Sequence, residues 1–245
     1  MATETYIGKG SVYLEEIGGT TGLLPVGNAP KLEFGFEEDK KGLPDFENEG
    51  GGEVDSVSII TAVTGAATLN SFSAENMTKL LRGTSADNSA GTVVTSETHT
   101  AYDGAFVEFA NFIDKGVGVV VTDVGAATTY VEGIDYIIKN TGVIIIDGGS
   151  IANASTIEVN YTTAASISVE ALTSSAKKYR LVFDGLNDAD GGSPIKVVAH
   201  IVKLDPVSTM ALITEDFAAQ ELTFSVVKDE TKTGAGKSKY FVATK

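Results

Sequence analysis

Three stretches hold residue types at spacings that invite chemistry. Gly234-Ala235-Gly236-Lys237-Ser238 ends like a phosphate-binding loop, in which backbone N–H groups cradle phosphates and a lysine reaches them. The full pattern needs Gly where Thr231 stands and a helix after the serine, whereas Tyr240-Phe241-Val242 reads as a short edge strand. Asn187-Asp188-Ala189-Asp190-Gly191 has the look of a calcium loop. A register built on Gly191 puts Leu186 at the first ligand position and Val197 at the last, and neither side chain can ligate, so the stretch reads as a turn. His99 and His200 are the only histidines, with no Cys partner and no HExxH spacing to suggest zinc. There is no Gly-x-Ser-x-Gly elbow, and the carboxylates are too many to single out a catalytic pair. The expectation is a chain without catalytic residues, cofactor or metal, hence not an enzyme.

A fourth stretch has charge instead of a motif. Glu37 to Glu53 reads EEDKKGLPDFENEGGGE, with Glu37, Glu38, Asp39, Asp45, Glu47, Glu49 and Glu53 against Lys40 and Lys41. It contains a proline, three consecutive glycines and no hydrophobic period, so it is expected to be a long loop, neither helix nor strand. Loops of this length inside a compact domain are usually functional or disordered. Two readings stand side by side: a solvated hairpin tip, or an arm that folds on meeting a partner.

The elements that would position these stretches are mostly strands. Hydrophobic residues make up 42% of the 245, enough for a core, while Gly is frequent at 27 and Thr, Val, Ile and Ser recur in short runs. Cysteine and tryptophan are absent, which excludes disulfides and thiol chemistry. The net charge of −15 argues against gripping nucleic acid, which needs clustered Lys and Arg. The opening MATETYIGKG has neither a basic n-region nor an apolar h-region, and nowhere do 18 apolar residues run together, so neither a secretory signal nor a membrane helix is expected.

Lys31 to Phe36 alternates, with Leu32, Phe34 and Phe36 on one face and Glu33 on the other. The one persuasive helix runs from Ala74 to Arg82: Ser73 is a good N-cap, Phe72 and Met77 suit a hydrophobic staple, and Gly83 is a natural stop. Its packing face is Ala74, Met77, Leu80 and Leu81. Thr84 to Gly91 reads as a polar turn. Composition shifts at Lys115, and residues 116–163 make closely spaced short strands, expected as a small β module inserted in a main domain of residues 1–115 and 164–245. Leu222, Phe224 and Val226 alternate with Glu221, Thr223 and Ser225 in the cleanest strand of the chain. The expected fold is mainly β: two packed sheets forming a sandwich or partial barrel, one flanking α-helix, a long inter-strand loop, and the small inserted module.

That order of elements resembles the tail tube proteins of long-tailed, siphovirus-type bacteriophages. Tyr179-Arg180-Leu181-Val182-Phe183-Asp184-Gly185-Leu186-Asn187 with the following Asp188 to Pro194 is similar to a stretch of those proteins, as are Thr129 to Tyr136 and Ile157 to Thr162. The resemblance implies a structural virion protein that assembles in the host cytoplasm and ends up in the phage tail. Six copies would close into a ring, and rings would stack into a hollow tube through which DNA passes without specific binding. Partners would be the chain itself and the tape measure, tail terminator and tail tip proteins, with no membrane. On this reading Glu37, Glu38, Asp39, Lys40, Lys41, Leu43, Asp45, Phe46, Glu47 and Glu49 form the loop reaching the adjacent ring. Glu33, Glu221, Thr223 and Ser225 are candidates for facing the lumen. The neighbouring alternative is another β-rich virion component, such as a decoration protein or the tube of a contractile tail or type VI secretion system.

Overall fold

The computed structural model describes residues 4–47 and 49–245, and half of the chain is strand against 4% helix. The chain divides into two compact units, Met1–Thr84 with Val169–Lys245, and Ser85–Ser168. The inserted unit is wider than the expected 116–163. Its first strands come from residues ahead of Lys115, where composition still resembled the main domain.

In chain order the elements are β1 (Gly8–Glu16), β2 (Leu24–Pro25), β3 (Lys31–Pro44), β4 (Glu53–Leu69) and α1 (Ala74–Leu80). Then follow β5 (Thr84–Asn88), β6 (Val93–Ala101), β7 (Phe106–Glu108), β8 (Val119–Asp123), β9 (Tyr136–Ile138), β10 (Gly142–Ile145), β11 (Ser155–Thr162) and β12 (Ser166–Glu170). The chain closes with β13 (Lys178–Asn187), β14 (Ser193–Leu204), β15 (Gln220–Val226) and β16 (Phe241–Thr244). Thr84 to Gly91, expected as a turn, instead begins with β5, which pairs with β12. Its residues are polar because the strand is exposed apart from Asn88, which leaves no apolar period to read.

The larger unit is a single eight-stranded sheet in the order β2-β1-β13-β14-β15-β4-β3, with β16 added beside β14. Its two terminal strands, β2 and β3, are joined by residues 26–30 alone. Six strand spacings laid flat would separate them by about 29 Å, more than the roughly 20 Å that so short a link spans. The sheet must therefore curl, and hydrogen bonds from Val26 N–H to the Val12 carbonyl (3.0 Å) and from Asn70 N–H to the Asn28 carbonyl (2.9 Å) tie the link at both ends. The two walls of the expected sandwich are thus continuous through one curled sheet, a partial barrel.

Alternation fills the inside of the curl. Val12 and Leu14 of β1, Leu181 of β13, Ala199, Val202 and Leu204 of β14, Leu222, Phe224 and Val226 of β15, and Val63, Ala67 and Leu69 of β4 form one buried cluster. Phe34 meets Phe224 edge-on at 5.7 Å and stacks on Phe241 at 5.2 Å. Gly65 is required here: a Cβ on it would come within 2.4 Å of the Phe224 ring.

Helix α1 adds Leu80 to the same core. The Ser73 hydroxyl caps it by accepting from Asn76 N–H at 3.2 Å. At the other end, Gly83 N–H donates to the Thr78 carbonyl and Arg82 N–H to the Lys79 carbonyl, the Schellman pair. The left-handed residue of that motif is Arg82 (φ 46°), where Gly83 was the expected stop. Gly83 serves another need, because a Cβ there would stand 2.4 Å from the Glu170 carbonyl oxygen. Of the expected packing face, Leu80 is buried while Ala74, Met77 and Leu81 are half-buried. The second buried helix residue is Asn76, whose amide donates to the carbonyls of Val26 (2.8 Å) and Ser71 (3.1 Å).

The smaller unit is a sandwich of two three-stranded sheets, β7-β10-β9 and β6-β11-β8. Val107, Tyr136, Val143 and Ile145 face Val121, Ile157, Val159 and Tyr161 in its core. Thr128–Val131, read as a strand from its composition, contributes only an isolated bridge between Thr129 and Thr122.

Candidate interaction surface

The acidic stretch is not a loop along most of its length. β3 and β4 pair continuously from Lys31↔Thr68 to Pro44↔Glu53, so Glu37, Glu38, Asp39, Lys40, Lys41 and Leu43 all lie in strand. Only residues 45–52 form the tip, and Asn48 lies outside the described residues. The three glycines of the tip carry positive φ (109°, 66° and 141° at Gly50, Gly51 and Gly52), a turn conformation that only glycine adopts without strain. Asp45 shapes the other side of the tip, its N–H donating to the Gly52 carbonyl and its carboxylate accepting from Glu47 N–H, each at 2.8 Å.

Beyond the bulge at Glu37/Glu38, this hairpin leaves the sheet. Every residue of β3 from Phe36 onward and of β4 up to Thr61 is exposed. The result is a two-stranded arm with solvent on both faces. Polar pairs brace one face: Ser58 Oγ donates to Glu38 at 2.6 Å and Lys40 pairs with Glu53 at 2.9 Å. On the other face, Leu43, Val57 and Ile59 lie among Asp39, Lys41 and Asp55. At the tip Phe46 is 86% exposed, beside Val54 and Leu43. An isolated hairpin is only marginally stable in water, and contiguous exposed apolar surface is a common feature of interaction sites. Leu43 and Phe46 stand out in the sequence as apolar residues among charges. Val54, Val57, Ile59 and Ile60 do not, because Val54 to Val63 reads as a strand with both faces partly apolar and no inward side to assign.

The root of the same hairpin carries a second feature. Across β3, β4 and β15 the register aligns Lys31–Thr68–Glu221 in one row and Glu33–Ala66–Thr223 in the next, followed by Gly35–Thr64–Ser225 and Lys203 of β14. Glu33, Glu221, Thr223 and Ser225 therefore share one polar face, opposite the buried Leu222 and Phe224. The face is mixed in charge: Lys31 pairs with Glu33 at 2.7 Å, and that contact, then the Glu221 charge, raises the Lys31 ammonium above its ordinary value.

The other stretches serve structure. Gly234 to Ser238 forms a turn before β16, with Ser238 Oγ accepting from the N–H groups of Tyr240 and Phe241. Asn187 is buried; its side chain accepts from Ile7 N–H (2.9 Å) and Ala189 N–H (3.2 Å) and donates to the Thr5 carbonyl (2.9 Å), fastening the chain's first described residues to β13. His99 contacts Glu97 at 2.8 Å and stacks on Phe109, which stacks in turn on Tyr161. Burial opposes the charged form of Glu97. Hydrogen bonds from the Tyr161 hydroxyl (2.7 Å), Ala110 N–H (3.0 Å) and His99 outweigh it and hold the carboxyl below its ordinary value of 4.5. Among the described residues no three His, Asp or Glu side chains converge to hold a metal ion, and no helix is long and apolar enough to cross a membrane.

Residues 205–219, between β14 and β15, form an irregular segment with Ile213 97% and Phe217 96% exposed. In the smaller unit, Phe106, Ile144 and Ile137 align across β7, β10 and β9 on the face away from the core. From sequence Ala105 to Ile113 reads as buried on both sides, and Val207 to Phe217 fits either a helical turn or irregular chain, so neither surface is legible there.

A family model described as "Protein of unknown function UCP028589" matches residues 5–244. The chain belongs to this family. None of the curated proteins matches it. The match spans both units, so the arm, which belongs to the larger unit, and the inserted unit fall within the family's extent.

Proposed function

We propose that this chain is the tail tube subunit of a long-tailed bacteriophage, six copies closing into a ring and rings stacking into a hollow tube. The observation that carries this reading is the arm: a two-stranded ribbon exposed on both faces, with an apolar row and an apolar tip, projecting from a curled sheet. A monomer gains nothing from such an arm, whereas a stacked assembly buries it against the next ring. The same assembly supplies neighbours for the unpaired edges of β2 and β3.

The polar face of β3, β4 and β15 suits the lumen. Its charges are paired or balanced, and the chain as a whole is acidic at −15. A wall of this kind neutralises few phosphates and releases few counterions, so DNA slides past it without being held. The chain acts as a structural protein in this role and needs no cofactor. Tape measure, tail terminator and tail tip proteins would be its partners, and the virion its destination.

A mass measurement over a range of concentrations tests the reading. Species of six copies and their multiples are expected, growing with concentration. A single-copy mass at every concentration would refute it.

A further inference from the structure

The curl of the large sheet leaves an open cleft of about 370 Å3, with apolar side chains among its lining, between the first half of β1 and the first half of β3. On its β1 wall the Tyr6 ring packs against Gly8 and the Phe183 ring against Gly10, where a Cβ would clash, and Val12, Leu32 and Phe34 line the rest. Lys9 and Lys31 stand at its rim, at strand positions that alternate with the residues lining it. Both are exposed and paired only with exposed carboxylates, Asp188 and Glu33, partners that such lysines exchange at little cost.

We propose that this cleft receives the arm tip of a second copy of the chain, with Phe46 and Leu43 entering it and the carboxylates around Phe46 meeting Lys9 and Lys31. This rests on the self-assembly reading above and locates where the arm docks. Two observations select the occupant. The tip is complementary, an exposed Phe46 flanked by Asp45, Glu47 and Glu49 against a cleft with apolar side chains among its lining and two lysines at its rim. The geometry also excludes the chain's own arm. β3 starts at the cleft and runs away from it, so its far end at Pro44 stands about 33 Å from Phe34 along the strand. Cleft and tip therefore lie at opposite ends of one hairpin, and each docking event leaves a free tip and a free cleft. Such a heterologous contact propagates head to tail.

The chain has no cysteine, so cross-linking of introduced cysteines tests the contact directly. Phe46→Cys is mixed under mild oxidation with a size-tagged Leu32→Cys or, should that variant fail to fold, a size-tagged Val197→Cys within the same cleft. A size-tagged Thr223→Cys on the polar face is the comparison. The expected result is a mixed-size disulfide dimer with the cleft variant, at least tenfold more abundant than with Thr223→Cys. Equal yields from both, or no mixed dimer with either cleft variant, would overturn the proposal. Wild-type protein is scored for filaments in parallel. Filaments without the cross-link place the arm elsewhere and leave the tube reading intact; a cross-link without six-copy species supports the contact and counts against the tube.

Discussion

At the scale of single residues, the side chains that decide the fold are few and mostly polar. Asn76 is the clearest. It sits on the helix where an apolar residue would be expected, and its amide holds the carbonyls of Val26, in the link from β2 to β3, and Ser71, in the link from β4 to α1. Asn76→Ala strands the buried Val26 carbonyl and the part-buried Ser71 carbonyl and should cost about 1–3 kcal/mol, read as a lower urea midpoint; an unchanged midpoint would show that the tie is dispensable. Glu97 makes the smaller unit pH-sensitive. Its carboxyl is depressed in the folded state, so its contribution is fully present above the unfolded value and fades as pH falls through the folded one. Glu97→Gln should therefore be less stable than the parent at pH 7, with the difference closing below about pH 4. A gap that stays constant with pH would remove the charge from the explanation. Neither role was visible in the sequence, where Asn76 interrupts an apolar stripe and Glu97 is one carboxylate among 33 acidic residues.

At the scale of elements, legibility followed burial. β15 was read correctly because one face is buried and the other wet, and so was the first half of β3. The helix announced itself through Ser73 and its apolar spacing, although the left-handed residue of its stop is Arg82 and not Gly83. The arm was misread as a loop for the same physical reason. A ribbon with solvent on both faces has no cause to alternate apolar and polar residues, and the Gly and Pro near its tip reinforced the impression. β5 was lost in the same way. The arm's independence from the core yields a test: replacing residues 39–59 by Asn-Gly, which joins the cross-strand pair Glu38 and Ile60 through a tight turn. The shortened chain should melt within a few degrees of the parent and form no filaments. A large drop in melting temperature would show that the arm stabilises its own subunit, and filaments of normal length would remove it from assembly.

At the scale of the whole molecule, the chain divides at Thr84/Ser85 and Ser168/Val169, not at the composition shift near Lys115. The smaller unit takes β6 and β7 from ahead of Lys115, where strand composition gives no boundary signal, and closes its sandwich around residues as distant as Ala101 and Tyr161. Family membership now extends from residue 5 to residue 244 and so covers the curled sheet, the arm and the insertion as one inheritance. The assembly reading draws these together: a curled sheet with open edges, a polar face on three adjacent strands, and an arm that finds no partner within its own subunit. Electron microscopy of the purified full chain in negative stain, at the highest soluble concentration, addresses it most directly. The account predicts hollow filaments of uniform width with six-fold rings in end view; a field of separate single-copy particles under those conditions would contradict it.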